Sequence, residues 1–198
     1  MKVMALMMVV AAIACGSSTS IENSWKAPSA SRPQLHRVVT VMLWKDVGVR
    51  RSTEDQLAAR LQRAGVEAVP GYRVLSESDA NDPQMARQRL QAQGFDGILV
   101  MRFVSRENQL NYTPPVYTDY WGGAWYPDGG YAYTTTIVRL ETAAYSTSDG
   151  QLVYSALSKT TDPSNISALI DSATARVAKA LEKEQIVVAS RPAAPQGG

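Results

Sequence analysis

Apolar positions along this chain fall into two rhythms, one of strands and one of helices, and turn residues separate them. Arg37–Trp44 (R-V-V-T-V-M-L-W) is β-branched and nearly all apolar, which suits a strand covered on both faces. A helix follows Arg50-Arg51, with Ser52 and Asp55, or Thr53 and Gln56, spaced for a capping box. Leu57, Leu61 and Ala64 form its buried stripe, and Gly65 is placed as the C′ glycine. Val66 to Val69 begins a second strand that resumes through Tyr72 to Leu75, and Pro70-Gly71 between them predicts an edge position or a bulge. Asp82-Pro83 opens a second helix, cap then N1 proline, with Met85, Ala86 and Leu90 inward and Gly94 at its end. Gly97 to Val104 (G-I-L-V-M-R-F-V) is the most apolar strand, and so a central one.

The second half is a hairpin and a helix. Tyr133 to Tyr145 alternates as a strand, Ser148-Asp149-Gly150-Gln151 is a tight turn, and Leu152 to Lys159 returns. Asp162-Pro163-Ser164 opens the last helix, where Ile166, Leu169, Ile170, Ala173, Val177, Ala180 and Leu181 recur at three- and four-residue spacings. The order is β-α-β-α-β-β-β-α. Right-handed crossovers on either side of the first strand place it between the second and third. The expected fold is therefore a single α/β domain over 35–185. Its mixed five-stranded sheet has the order 2-1-3-4-5, with helices on both faces.

The N-terminus has a different pattern. Lys2 precedes an uncharged apolar run from Val3 to Ile13, and Ala14-Cys15-Gly16-Ser17-Ser18 follows. The run is shorter than the roughly 20 residues a spanning helix takes, but it has the length of a signal-peptide apolar region. Ala12-Ile13-Ala14-Cys15 resembles the lipobox of bacterial lipoproteins, with Ala12 where Leu is commonest. The resemblance implies a signal over 1–14, a mature chain beginning at a lipidated Cys15, and a membrane anchor. Gly16 after the cysteine, where the family's retention signal has Asp, implies the periplasmic face of the outer membrane. Gly16 to Gln34, rich in Ser, Ala and Pro, reads as a flexible linker reaching roughly 25 Å. Trp25 interrupts it and suits either docking on the domain or the membrane interface. Residues 186–198 read as a disordered tail.

Composition removes several classes of function. Twenty basic residues against 18 acidic ones leave no strong field for nucleic acid. Cys15 is the only cysteine, so no internal disulfide forms and the fold rests on its core.

By element order the domain resembles the amino-terminal domain of TolB and the LpoB-like outer-membrane lipoproteins that activate peptidoglycan synthases. Ser24-Trp25-Lys26-Ala27-Pro28 and Asp149-Gly150-Gln151-Leu152-Val153-Tyr154-Ser155 resemble segments of a broad group of proteobacterial lipoproteins. No catalytic motif accompanies that resemblance.

Chemistry-bearing residues are few. His36 is the only histidine, and with one cysteine it does not make a zinc set or a triad. There is no Gly-x-Ser-x-Gly, phosphate loop or dinucleotide fingerprint. Glu54-Asp55 read as first-turn carboxylates favouring the helix dipole, and Asp119 and Asp128 lack the spacing of a calcium loop. No enzyme, metal or cofactor is expected. The oddity is the 112–133 segment, with Tyr112, Tyr117, Tyr120, Trp121, Trp125, Tyr126, Tyr131 and Tyr133, more than half of the chain's aromatics. Such rings serve to cover the sheet, to bind a partner, or to meet glycan or membrane. The expectation adopted is a contact surface formed by Tyr117, Tyr120, Trp121, Trp125, Tyr126 and Tyr131. Its partner would be an envelope protein, with peptidoglycan or another polysaccharide as the alternative.

Overall fold

The computed structural model describes residues 17–28, 33–76, 79, 82–113 and 131–190. Strands β1 (Ser18–Lys26), β2 (Arg37–Leu43), β3 (Glu67–Pro70), β4 (Gly97–Thr113), β5 (Tyr131–Ser146) and β6 (Leu152–Thr161) form one mixed sheet. Its order is β1-β6-β5-β4-β2-β3. The α-helices described are α1 (Val47–Arg63), α2 (Pro83–Ala92) and α3 (Ile166–Lys183). β2 is parallel to both neighbours, β3 and β4, while β4, β5, β6 and β1 are successively antiparallel.

The five-stranded expectation is therefore corrected to six strands. The added strand, β1, comes from the segment expected to be a flexible linker. Its composition is poor in β-formers, but its partners are specific. Ser17 donates to the Ala168 carbonyl and to Ser172 on α3, and the Thr19 hydroxyl bonds Thr160 at 2.7 Å and Ser172 at 2.9 Å. Ile21 packs on the main core. Without β1, the edge of β6 would present unpaired amides and carbonyls. The domain also runs past 185. Ile186 and Val187 are buried, and Val188 N–H bonds the Leu35 carbonyl at 2.9 Å. Residues 191–198 of the expected tail lie outside the described residues.

The two sheet faces are covered unequally. On one, Leu57 and Leu61 of α1 and Leu169, Val177 and Leu181 of α3 pack over Val38, Met42, Leu99, Met101, Leu140 and Ala144. Arg60 joins the two helices, with an ion pair to Asp171 at 2.5 Å and a bond to the Thr174 hydroxyl at 3.1 Å. On the other face, α2 is the α-helix that packs among the described residues, and Leu90 and Phe95 cover Val39 beside Val41, Ile98, Val74 and Leu75. Met85, expected inward, is half exposed at the shoulder of this helix.

Helix starts also differ from expectation. The α1 cap is Asp46, whose side chain accepts the Val49 N–H at 2.8 Å, so the helix begins a turn and a half before Ser52. Gly65 does serve as the left-handed residue after α1, at φ 83°. The α3 cap is Asn165, accepting from Ala168 N–H at 2.8 Å, rather than Asp162.

Starting α1 earlier moves Glu54 inward. It is 3% exposed, its two oxygens accepting Met42 N–H at 3.1 Å and Tyr72 N–H at 3.0 Å. Those donors lie where Pro70 and Gly71 end the β2–β3 ladder, so the carboxylate completes the sheet edge. Burial raises its pKa, and the two N–H donors oppose that rise.

Two stability outcomes follow. Glu54→Ala strands two buried N–H groups and should destabilise the fold by about 2–5 kcal/mol in chemical denaturation. The Thr142 hydroxyl is buried at the sheet centre with no hydrogen-bond partner among the described residues. Thr142→Val should therefore be neutral or raise stability by up to about 1 kcal/mol, and a loss above that would show that the hydroxyl is satisfied.

Candidate functional site

Past the ends of β2 and β6, strands β4 and β5 pair only with each other among the described residues. β2 pairs with β4 as far as Leu43↔Arg102, and β6 pairs with β5 as far as Thr161↔Ile137. The β4–β5 ladder runs on from Asn108↔Thr136 to Thr113↔Tyr131. At the usual strand rise this two-stranded ribbon projects roughly 20 Å from the sheet.

Its side chains alternate between two solvent-facing sides. Leu110 and Tyr112 share one side with their partners Thr134 and Ala132, while Tyr131 and Tyr133 share the other with Thr113 and Asn111. Leu110 is 77% exposed and Tyr131 62%. The Tyr131 and Tyr133 rings lie 5.9 Å apart, inclined at 38°. Residues 108–113 and 131–136 include no charged side chain. Their polar groups are neutral and largely engaged across the ribbon. Asn111 donates to the Thr135 hydroxyl at 2.9 Å, and the Thr136 hydroxyl donates to Asn108 at 3.1 Å.

The ribbon is fixed at its root. Asp162, at φ 45°, donates its N–H to the Thr136 carbonyl at 2.8 Å and accepts Thr136 N–H on its carboxylate at 2.7 Å. Phe103 meets Trp44 edge-on at 5.3 Å where β2 ends. A charged collar stands just below. Arg139 Nε donates to Glu22 at 2.7 Å and its Nη1 donates to Glu107 at 2.7 Å. Glu22 is the residue at the β1 irregularity between Ile21 and Asn23. The guanidinium holds both carboxyls below the usual glutamate range, and they in turn raise the Arg139 pKa.

Of the expected contact residues, Tyr131 stands exposed on this ribbon. Tyr117, Tyr120, Trp121, Trp125 and Tyr126 lie outside the described residues, as do Cys15, Asp119 and Asp128. Leu110 belongs to the surface but was not singled out from the sequence, where its uncharged neighbours Asn108, Gln109 and Asn111 were the available signal. His36 is exposed and works through its backbone, donating N–H to Asp96 at 2.8 Å and accepting from the Ser190 hydroxyl at 3.0 Å. Among the described residues no cluster of His, Cys, Asp and Glu could hold a metal ion, and no helix is long and apolar enough to cross a membrane.

A second feature lies on the α2 face of the sheet. Beside α2, Val41, Leu43, Ile98, Val100 and Tyr145 line a groove of about 600 Å³, with Asp79, Arg87 and Asp149 on its rim. It exists because the short α2 covers only part of an apolar sheet face. The Asp79 carboxyl is held below its ordinary range by the Ser76 hydroxyl and N–H, and pairs with Arg89 at 3.0 Å. Its polar groups are thus largely turned to one another.

No family model matches the chain, and no curated protein matches it. Among solved structures it is similar to a PelC dodecamer from Paraburkholderia phytofirmans. One crystal form shows 16% identity and a TM-score of 0.48 over 88% of this chain and 99% of that one. A second form gives 16% and 0.48 over 84% and 97%. It is also similar to lipoprotein GNA1162 from Neisseria meningitidis, at 15% identity and a TM-score of 0.41 over 74% of this chain and 98% of that one. At this level of likeness neither a family nor a function follows. None of the three is a TolB or LpoB domain, so that resemblance rests on element order alone.

The collar makes β1 pH-sensitive. Glu22 and Glu107 have folded pKa values below the ordinary 4.5, so their contribution is present above 4.5 and lost as pH falls through the depressed values. Relative to the intrinsic amide rate, which itself falls with pH, hydrogen exchange at β1 amides should accelerate on acidification through that window. In Arg139→Gln it should already be raised at neutral pH, with a smaller acid step. An unchanged acid step in the variant would place the sensitivity elsewhere.

Proposed function

We propose that this chain is a lipid-anchored, non-enzymatic component of a bacterial envelope, held on the periplasmic face of the outer membrane. Its contact surface is the aromatic ribbon with the segment it carries. The observation that supports this most is the junction of two features. Cys15 closes a signal-like apolar run, and Ser17, two residues later, is already bonded to α3. A lipid on Cys15 would then seat the domain directly at the bilayer. Gly16 after the cysteine supports the outer membrane.

The surface suits an interaction or assembly role with an envelope protein. The exposed, inclined Tyr131 and Tyr133 rings favour a second reading, stacking on a glycan such as peptidoglycan. Cys15→Ser should abolish palmitate incorporation and move the protein out of the membrane fraction. Unchanged incorporation would refute the anchor. Co-sedimentation of the purified domain with sacculi would favour the glycan reading, and cross-linking to a membrane protein the assembly reading.

A further inference from the structure

We infer that the partner of the ribbon is the membrane itself: residues 108–113 and 131–136 lie in the polar interface of the bilayer that anchors the chain. The inference rests on the anchor reading above and deepens it.

Topology puts the anchor and the ribbon at one end of the sheet. Ser18 pairs with Thr161, and Thr161 pairs with Ile137. β1 and β5 run in the same direction, because each is antiparallel to β6 between them. The chain before Ser18 therefore leaves the sheet toward the side on which β5 extends back to Tyr131. The lateral offset is two or three strand spacings, on the order of 10–15 Å. The first residue of α3, Ile166, is at this end as well and is 52% exposed.

Lengths then bring the ribbon to the lipid. Two residues, Gly16 and Ser17, separate Cys15 from Ser18, and the three chain steps span at most about 10 Å, whereas the ribbon projects roughly 20 Å beyond the paired sheet. A domain tethered that closely meets the bilayer with its ribbon first.

The chemistry matches the interface rather than the hydrocarbon or a flat protein partner. The ribbon carries no charge, and Leu110, Tyr112, Tyr131 and Tyr133 are exposed on both of its sides. A surface docked on one face would need apolar groups on that face alone; a ribbon surrounded by lipid head groups benefits from both. Tyrosine, with an apolar body and a polar tip, is enriched at that depth. The outer backbone edges of the ribbon, which pair with no further strand among the described residues, cannot be left in hydrocarbon, which holds it at the polar boundary. The Glu22–Arg139–Glu107 collar sits below the uncharged stretch, on the side toward the domain.

The test uses the full lipidated chain in vesicles of phosphatidylethanolamine and phosphatidylglycerol. Cys15 is the only cysteine and carries the lipid, so an introduced thiol takes an environment-sensitive fluorophore uniquely. Labels at Tyr133→Cys and Leu110→Cys report the two ribbon faces, and Gln93→Cys reports the opposite end of the domain. Flotation of the unlabelled protein checks the anchor separately. The expected result is a blue shift at both ribbon labels, with loss of emission to spin-labelled lipids carrying the label near the head group, and neither effect at Gln93→Cys. Floating protein with unshifted, unquenched ribbon labels overturns the inference alone. A chain that does not float overturns the anchor and the inference together. A blue shift that requires added sacculi or envelope protein assigns the ribbon to glycan or protein instead.

Discussion

The β4–β5 ladder is the constraint on which the rest of the molecule depends. β4 is the seam of the sheet, parallel to β2 on one side and antiparallel to β5 on the other. The parallel half requires helical crossovers, which is why α1 and α2 lie on opposite faces. The antiparallel half needs only a tight turn at Asp149-Gly150 and, for β1, an incoming chain. Because β4 and β5 are longer than any neighbour, their pairing continues where the sheet stops. One ladder thus holds the core together and projects the uncharged ribbon, and the irregularity between Phe103 and Ser105 falls where the two tasks meet.

The unequal sheet faces follow from helix length. α1 and α3, at 17 and 18 residues, together cover the face of Val38, Leu99 and Leu140. α2, at 10 residues, covers only the β2–β4 quarter of the other face. The uncovered remainder carries Arg102 with Glu141 and Arg139 with Glu22 and Glu107. Exposed pairs of this kind add little stability one at a time, but the Arg139 cluster joins three strands and sets how β1 lies on the sheet.

With the proposed lipid on Cys15, Gly16 alone would stand between the anchor and a hydrogen-bonded residue, Ser17, and the orientation of the domain would follow from the fold. The sheet end at which β1 begins is also the end that carries Tyr112, Tyr131, Tyr133 and Ile166, and the apolar groove beside α2 runs from Leu43 to the turn at Asp149-Gly150.

Period and punctuation in the sequence were enough to place β2, β4, the β5–β6 hairpin and the apolar stripe of α3, because each writes its burial into local alternation and ends at Gly, Pro or Asp-Gly. The signal-like run ending at Cys15 is also a local pattern, and it lies outside the described residues. Other features depended on partners distant in the chain. Ser18–Lys26 has the composition of a linker and becomes a strand because Ser172 and Thr160, more than 140 residues away, satisfy its hydroxyls. Glu54 looks like a surface carboxylate and is buried because Asp46 starts α1 early and the broken β3 leaves two amides to accept from. The aromatic character of 112–133 was plain in the sequence, but Leu110 and the two-sided ribbon were not, since nothing local says that β4 and β5 outrun their neighbours. That lengths of separate strands decide what is exposed is a property of register, and register exists only once the strands have paired.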